Sequence, residues 1–334
     1  MPGPGSAAGD RACPIPDAHM SAPTVGVAVV TVLIPDARQE MFRGLIDYAG
    51  LFPPASRDMA GAAAGYRTAR ASTEGWIAGR FLCSANRLEE LAGVLVATMD
   101  RGEAPWPIGV VFDTDPTASA AAAAAFHSEM EPAATIEVAE TRIPPGSDTE
   151  AIERLFTTTA SITETVFPFL EVPRDGSIPA TVRGIAAVVS EMLRPGGAKL
   201  RCGGPLPEDF PSTDEVAGFI VACTEHDLPF KTTAGLHHPI RHYDEILGVM
   251  RHGFVNLLTA SVAAREGAGV PTIEAIVADT DPGSFELSFA GVVWQGERIG
   301  PNAIGETRSH GFVAYGSCEF DEPVEDLAKL GYLP

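Results

Sequence analysis

The sequence predicts an α/β fold, a (β/α)8 TIM-type barrel with a C-terminal extension over one end and a disordered N-terminal segment. Two observations lead there. After Met41 a short apolar run, a polar or Gly/Pro break and a stretch of helical periodicity recur eight times. No Gly-x-Gly-x-x-Gly follows the first run, which disfavours an open doubly wound sheet. A length of 334 residues suits such a barrel with a tail, and 45% hydrophobic content can fill its core.

In chain order, residues 1–40 are Pro/Gly/Ala-rich and are expected to be disordered or weakly structured. Met20 and Met41 are alternative starts, and the pattern begins just after Met41. The first strand falls within 44–52, with a helix over 56–71. The second is 76–82, with Ser84 as N-cap of a helix reaching Met99. The third is 108–113, followed by the alanine-rich helix 116–130, where alanine is the best helix former. The fourth and fifth are 135–139 and 166–172, with helices over 148–159 and 179–193. The sixth and seventh, 198–204 and 229–238, flank an amphipathic segment at 213–226. Residues 254–258 read as the eighth strand, and helical stretches continue to about 279. The barrel therefore spans 41–282, and 283–334 packs on it, finishing in a short helix at 323–330.

The net charge of −21 makes nucleic acid and membrane surfaces poor partners. Five cysteines with no Cys-x-x-Cys pair fit a reducing, cytoplasmic location. The apolar run 25–34 is too short to span a bilayer, and its flank lacks the positive character of a signal peptide. The expected partner is a small-molecule substrate, and a homo-oligomer is compatible with the sequence.

Barrel chemistry gathers where strands end. The polar residues there are Asp47, Arg80, Asp113, Glu137 or Glu140, Glu171, Lys199, Arg201, Lys231, His237, His238 and Asn256. The chain has only three lysines, and two of them, Lys199 and Lys231, sit in apolar runs. Lysine, unlike arginine, can lose its proton and become a nucleophile. Strand alternation turns Lys199 and Arg201 to one face, and Lys231 and Thr233 to one face. Two ammonium groups in a poorly hydrated mouth would depress each other's pKa and free an amine for attack on a carbonyl, with Lys199 as nucleophile and Lys231 as perturber or the reverse. The competing reading is that each lysine neutralises a ring carboxylate.

The run Leu45-Ile46-Asp47-Tyr48-Ala49-Gly50-Leu51 resembles the Ile-Asp-His-Thr-Leu-Leu strand of deoxyribose-phosphate aldolase, a class I, Schiff-base aldolase barrel. Phe230-Lys231-Thr232-Thr233-Ala234-Gly235 resembles that family's Lys-Thr-Ser-Thr-Gly run, and residues 199–204 its Lys-Ala-Ser-Gly-Gly run, although the two occur in the opposite order here. The resemblance implies lyase chemistry with Lys199 as imine former, Lys231 as perturbing cation and Asp113 as proton shuttle.

From the residues themselves, Asp113 and Glu171 are candidate proton carriers, and Asp47, Arg80 and Asn256 candidate substrate contacts. Arg201 with Gly203 and Gly204 could hold an anionic group through guanidinium and backbone N–H groups, or Gly203-Gly204 is a tight turn. His237 and His238 are candidates for substrate contact or proton relay. With His242 and a carboxylate they alternatively suggest a metal-dependent hydrolase or lyase using a divalent metal such as zinc, which metal content would separate from the imine reading. No cofactor is expected otherwise. A non-catalytic ligand-binding barrel is the remaining alternative. Cys202 reads as a small buried residue before a glycine turn. The tail run 315–323 is positioned to lay an acidic loop over the mouth, or to start the last helix.

Overall fold

Side-chain caps start several helices, but Ser84, expected to cap the helix reaching Met99, ends a strand instead, and that helix begins at Leu88 with no side-chain cap. Asp58, Asp115 and Asp148 each accept a hydrogen bond from a first-turn backbone N–H, and Ser212 with Glu215 forms a reciprocal capping box. The computed structural model describes residues 36–112 and 115–334. Expectations for residues 1–35 and for Asp113 lie outside the described residues. Residues 36–40, expected to belong to a weakly structured arm, instead begin helix α1 (Ala37–Phe42), capped by the Asp36 side chain.

Seven parallel strands come first: β1 (Ile46–Tyr48), β2 (Ala78–Ser84), β3 (Trp106–Val111), β4 (Ala134–Arg142), β5 (Phe167–Glu171), β6 (Gly197–Arg201) and β7 (Phe230–Thr233). Helices α2 (Met59–Ala71), α3 (Leu88–Thr98), α4 (Pro116–Met130), α5 (Thr149–Ala160), α6 (Ile178–Met192) and α7 (Thr213–Glu225) alternate with them. A hairpin follows, β8 (His242–Asp244) with β9 (Val249–Arg251), then α8 (Phe254–Arg265) and α9 (Val270–Ala278). A three-stranded antiparallel sheet, β10 (Phe285–Ser288), β11 (Gly291–Trp294) and β12 (Glu297–Ile299), precedes α10 (Pro301–His310). Strand β13 (Phe312–Ser317) then closes the barrel between β7 and β1, and α11 (Asp321–Lys329) ends the chain. The fold is a (β/α)8 barrel. Among the described residues, no helix is long and apolar enough to cross a membrane.

The eighth strand is a correction. Residues 254–258 open helix α8, and the strand comes from the segment expected to be an extension. Every residue from Phe254 to Ala264 is buried, so the helix shows no polar face and no 3.6-residue period. A short apolar run of this kind cannot be told from a buried strand by pattern alone.

Asn256 is corrected with it. It lies on α8, away from any strand end, and is fully buried. Its Nδ2 donates to the Ile276 and Asp279 carbonyls, both at 2.8 Å, and its Oδ1 accepts from the Arg241 N–H at 2.9 Å. Both Nδ2 protons and the Oδ1 atom tie α8 to its neighbours. Asn256→Ala should cost about 2–4 kcal/mol in chemical denaturation, because three buried or partly buried backbone groups lose a partner. A loss below about 1 kcal/mol would contradict this role.

Candidate active site

Parallel register sets Glu171 opposite Lys199, Lys199 opposite Lys231, and Lys231 opposite Ala314. The alternate residues Phe230 and Thr232 pack outward, so the lysines turn to the barrel axis. There they join a chain of alternating charge. Arg142 Nε meets Glu171 at 2.9 Å, Glu171 meets Lys199 Nζ at 2.8 Å, and Lys199 meets Glu140 at 2.7 Å. Glu140 also accepts from Lys231, whose Nζ lies 2.5 Å from Asp47. Asp47 accepts from the Arg80 backbone N–H at 2.8 Å, and the Arg80 guanidinium reaches Glu137 at 2.9 Å.

The two amines therefore do share one poorly hydrated hollow, but a carboxylate stands between them. The Lys199, Lys231, Asp47 and Glu140 side chains are each no more than 6% exposed. Burial disfavours the Lys199 ammonium, yet Glu140 and Glu171 outweigh it and raise its pKa. Burial would likewise raise Glu140 and Glu171, and the lysines outweigh it and hold both below the ordinary carboxylate range. The mutual depression expected of two neighbouring lysines is thus replaced by ion pairing. Like-charge repulsion acts only where no counter-charge intervenes, and Glu140 bonds both amines.

The chain runs through the barrel from end to end. Arg80 is not at the C-terminal mouth. It lines a cavity of about 410 Å3 at the opposite end, with Gly44 before β1, Pro229 before β7, Arg43 and Arg308. Phe169 also lines that cavity, and its ring centre lies 5.7 Å from Lys231 Nζ. At the C-terminal end stand Glu171, Arg201 and Arg142, the last with its side chain 70% exposed. Lys199 is therefore the lysine nearer the mouth, and Lys231 is deeper, between Asp47 and Glu140.

Gly203 and Gly204 sit where a side chain would not fit. A Cβ on Gly203 would lie 2.9 Å from the Gly235 Cα, and one on Gly204 would lie against the Asp209 carboxylate. Arg201 spends its Nε–H on the Gly203 carbonyl at 3.0 Å. Cys202 is buried, which pushes its thiol up to about 12. His237 and His238, in the loop after β7, both reach carboxylates of α11. His237 Nδ1 meets Glu322 at 2.9 Å and His238 Nδ1 meets Asp326 at 2.6 Å, one helical turn apart. His242 stacks edge-on against His238 at 4.4 Å. Among the described residues, no group of three or more His, Cys, Asp or Glu side chains is arranged to hold a metal ion.

Glu137 and Glu140 carry the same sequence signal, a carboxylate near a strand end, and nothing local separates them. A β-bulge after Ile136 turns both toward the axis, Glu137 to the lower cavity and Glu140 to the lysines. The only sequence signal for Arg142 is its i+2 spacing from Glu140. Cys318 and Glu322, both in the tail, meet His237 only in three dimensions. Comparison of the chain with protein-family models, with curated proteins and with solved structures finds no match.

Proposed function

We propose that this barrel is a lyase that forms an imine between Lys199 and a small anionic carbonyl compound entering at the C-terminal mouth. The observation that carries this is the placement of Lys199 Nζ, 2.7 and 2.8 Å from two buried carboxylates on the mouth side of the ionic chain. Those carboxylates favour a positive charge at Nζ. An iminium keeps that charge on the same atom, so the electrostatic environment is retained in the intermediate. The demanding step is deprotonation, and its acceptor is already in hydrogen-bond contact.

Glu171 takes a proton from the Lys199 ammonium, and the free amine adds to the substrate carbonyl carbon. A proton moves from the adding nitrogen to the carbonyl oxygen, and Glu171 then returns its own proton to the resulting hydroxyl, which leaves as water while the C=N bond forms. Glu140 holds Lys199 and Lys231 in register, and Lys231 keeps Glu140 ionised. Arg142 and Arg201, at the rim, supply the charge that an anionic substrate needs inside an otherwise acidic protein.

Borohydride reduction with a panel of aldehydes, ketones and keto acids, followed by peptide mapping, tests this. A reduced adduct is expected on Lys199 and absent from Lys199→Met. Adducts found only on Lys329, or none on the folded protein with any member of the panel, would remove the reading.

A further inference from the structure

A second reactive constellation lies at the same mouth and shares no residue with the lysine chain. Cys318 directly follows β13, at the C-terminal end of a barrel strand, where this architecture presents reactive groups. His237 Nε2 stands 3.7 Å from its sulfur. The other ring nitrogen, Nδ1, lies 2.9 Å from Glu322 Oε2, on the first turn of α11. With Nδ1 donating to Glu322, Nε2 keeps its lone pair and faces the thiol.

We propose that Cys318, His237 and Glu322 form a nucleophilic triad that takes acyl groups from small esters or thioesters. A nucleophile, a base within reach of it and a third group orienting the base are the geometric requirements for such chemistry. The three residues come from three separate segments of the chain, the β7 loop, the β13 terminus and α11. A bystander cysteine has no need of an imidazole that is itself held by a carboxylate.

The surroundings define how the triad works. Cys318 is 5% exposed and His237 has 14% of its side chain open, so the sulfur is shielded beside a partly open imidazole. Burial pushes the Cys318 thiol up, with the Ala55 backbone N–H opposing and the Glu319 and Glu322 carboxylates adding to the rise. Glu319 is itself paired with Arg57 at 2.8 Å. The proton therefore rests on sulfur at neutral pH, and attack is base-assisted rather than made by a standing thiolate. His237 Nε2 accepts the Sγ proton as sulfur bonds to the acyl carbon. The carbon–oxygen or carbon–sulfur bond to the leaving group breaks, and His237 passes the proton to that group. Water, deprotonated by His237, then cleaves the Sγ–acyl bond, releasing the acid and restoring the thiol.

The test treats the intact protein with p-nitrophenyl acetate, quenches in acid and maps acetyl groups by peptide mass. Acetylation of Cys318 is expected to outpace that of free glutathione at the same pH, with Cys202 and Cys223 unmodified in the folded protein. His237→Gln should slow Cys318 acetylation by about 100-fold or more. Glu322→Gln should slow it less, by about tenfold, since it only orients the ring. Wild-type Cys318 reacting no faster than glutathione, or only after unfolding, would overturn the proposal without relying on any variant. An unchanged rate in folded His237→Gln would overturn it as well. The readout is on Cys318 and the imine readout is on Lys199, so one mapping experiment distinguishes the two.

Discussion

Glu140→Gln should lower folding stability by about 3–5 kcal/mol, as expected when one partner of a buried charge cluster is removed. Glu140 is 1% exposed and bonds the ammonium groups of both Lys199 and Lys231. Gln keeps the shape and removes the charge, so two buried cations are left with Asp47 and Glu171 alone. Adding Lys231→Met removes one of those cations. The double variant should therefore lose less than the sum of the two single variants, a coupling that a double-mutant cycle measures. Urea denaturation gives all four stabilities. A loss below about 1 kcal/mol for Glu140→Gln would mean that Glu140 is not the hub of the cluster.

Stability should also fall by a few kcal/mol as the solution is acidified from neutrality to about pH 3. Glu140 and Glu171 have folded-state pKa values below their ordinary ones, so each binds its proton more readily in the unfolded chain. Their contribution is complete above the unfolded carboxylate pKa and is lost as pH falls through the folded values. Lys199 is raised, so its contribution is complete below the unfolded lysine pKa and is lost as pH rises through the folded value. The ionic chain thus predicts a plateau between the two ranges, with an acid limb that is shallower in Glu140→Gln. Denaturant midpoints measured across pH at constant slope check this. A stability that does not change into acid, or that rises, would contradict the ion pairing inside the barrel.

What could be read from the residues alone was governed by short-range physics. Strand and helix periods and the Gly/Pro breaks between them act within a turn or two of chain. They place seven strands and most helices close to their observed bounds. Alternation along β6 and β7 likewise determined that Lys199 and Lys231 face the axis, and the scarcity of lysine marked them.

What only the tertiary structure decided depends on contacts between residues far apart in the chain. Lys231 finds Asp47 across 184 residues and Glu140 across 91, and His237 finds Cys318 across 81. Whether a lysine meets another cation or a carboxylate depends on strand order, register and one β-bulge, and none of these leaves a local trace. The same holds for the eighth strand. Helix α8 is enclosed on all sides over Phe254–Ala264, so no exposed polar face marks its period. The choice between residues 254–258 and 312–317 rests on which segment can pair with both β7 and β1 and so close the ring.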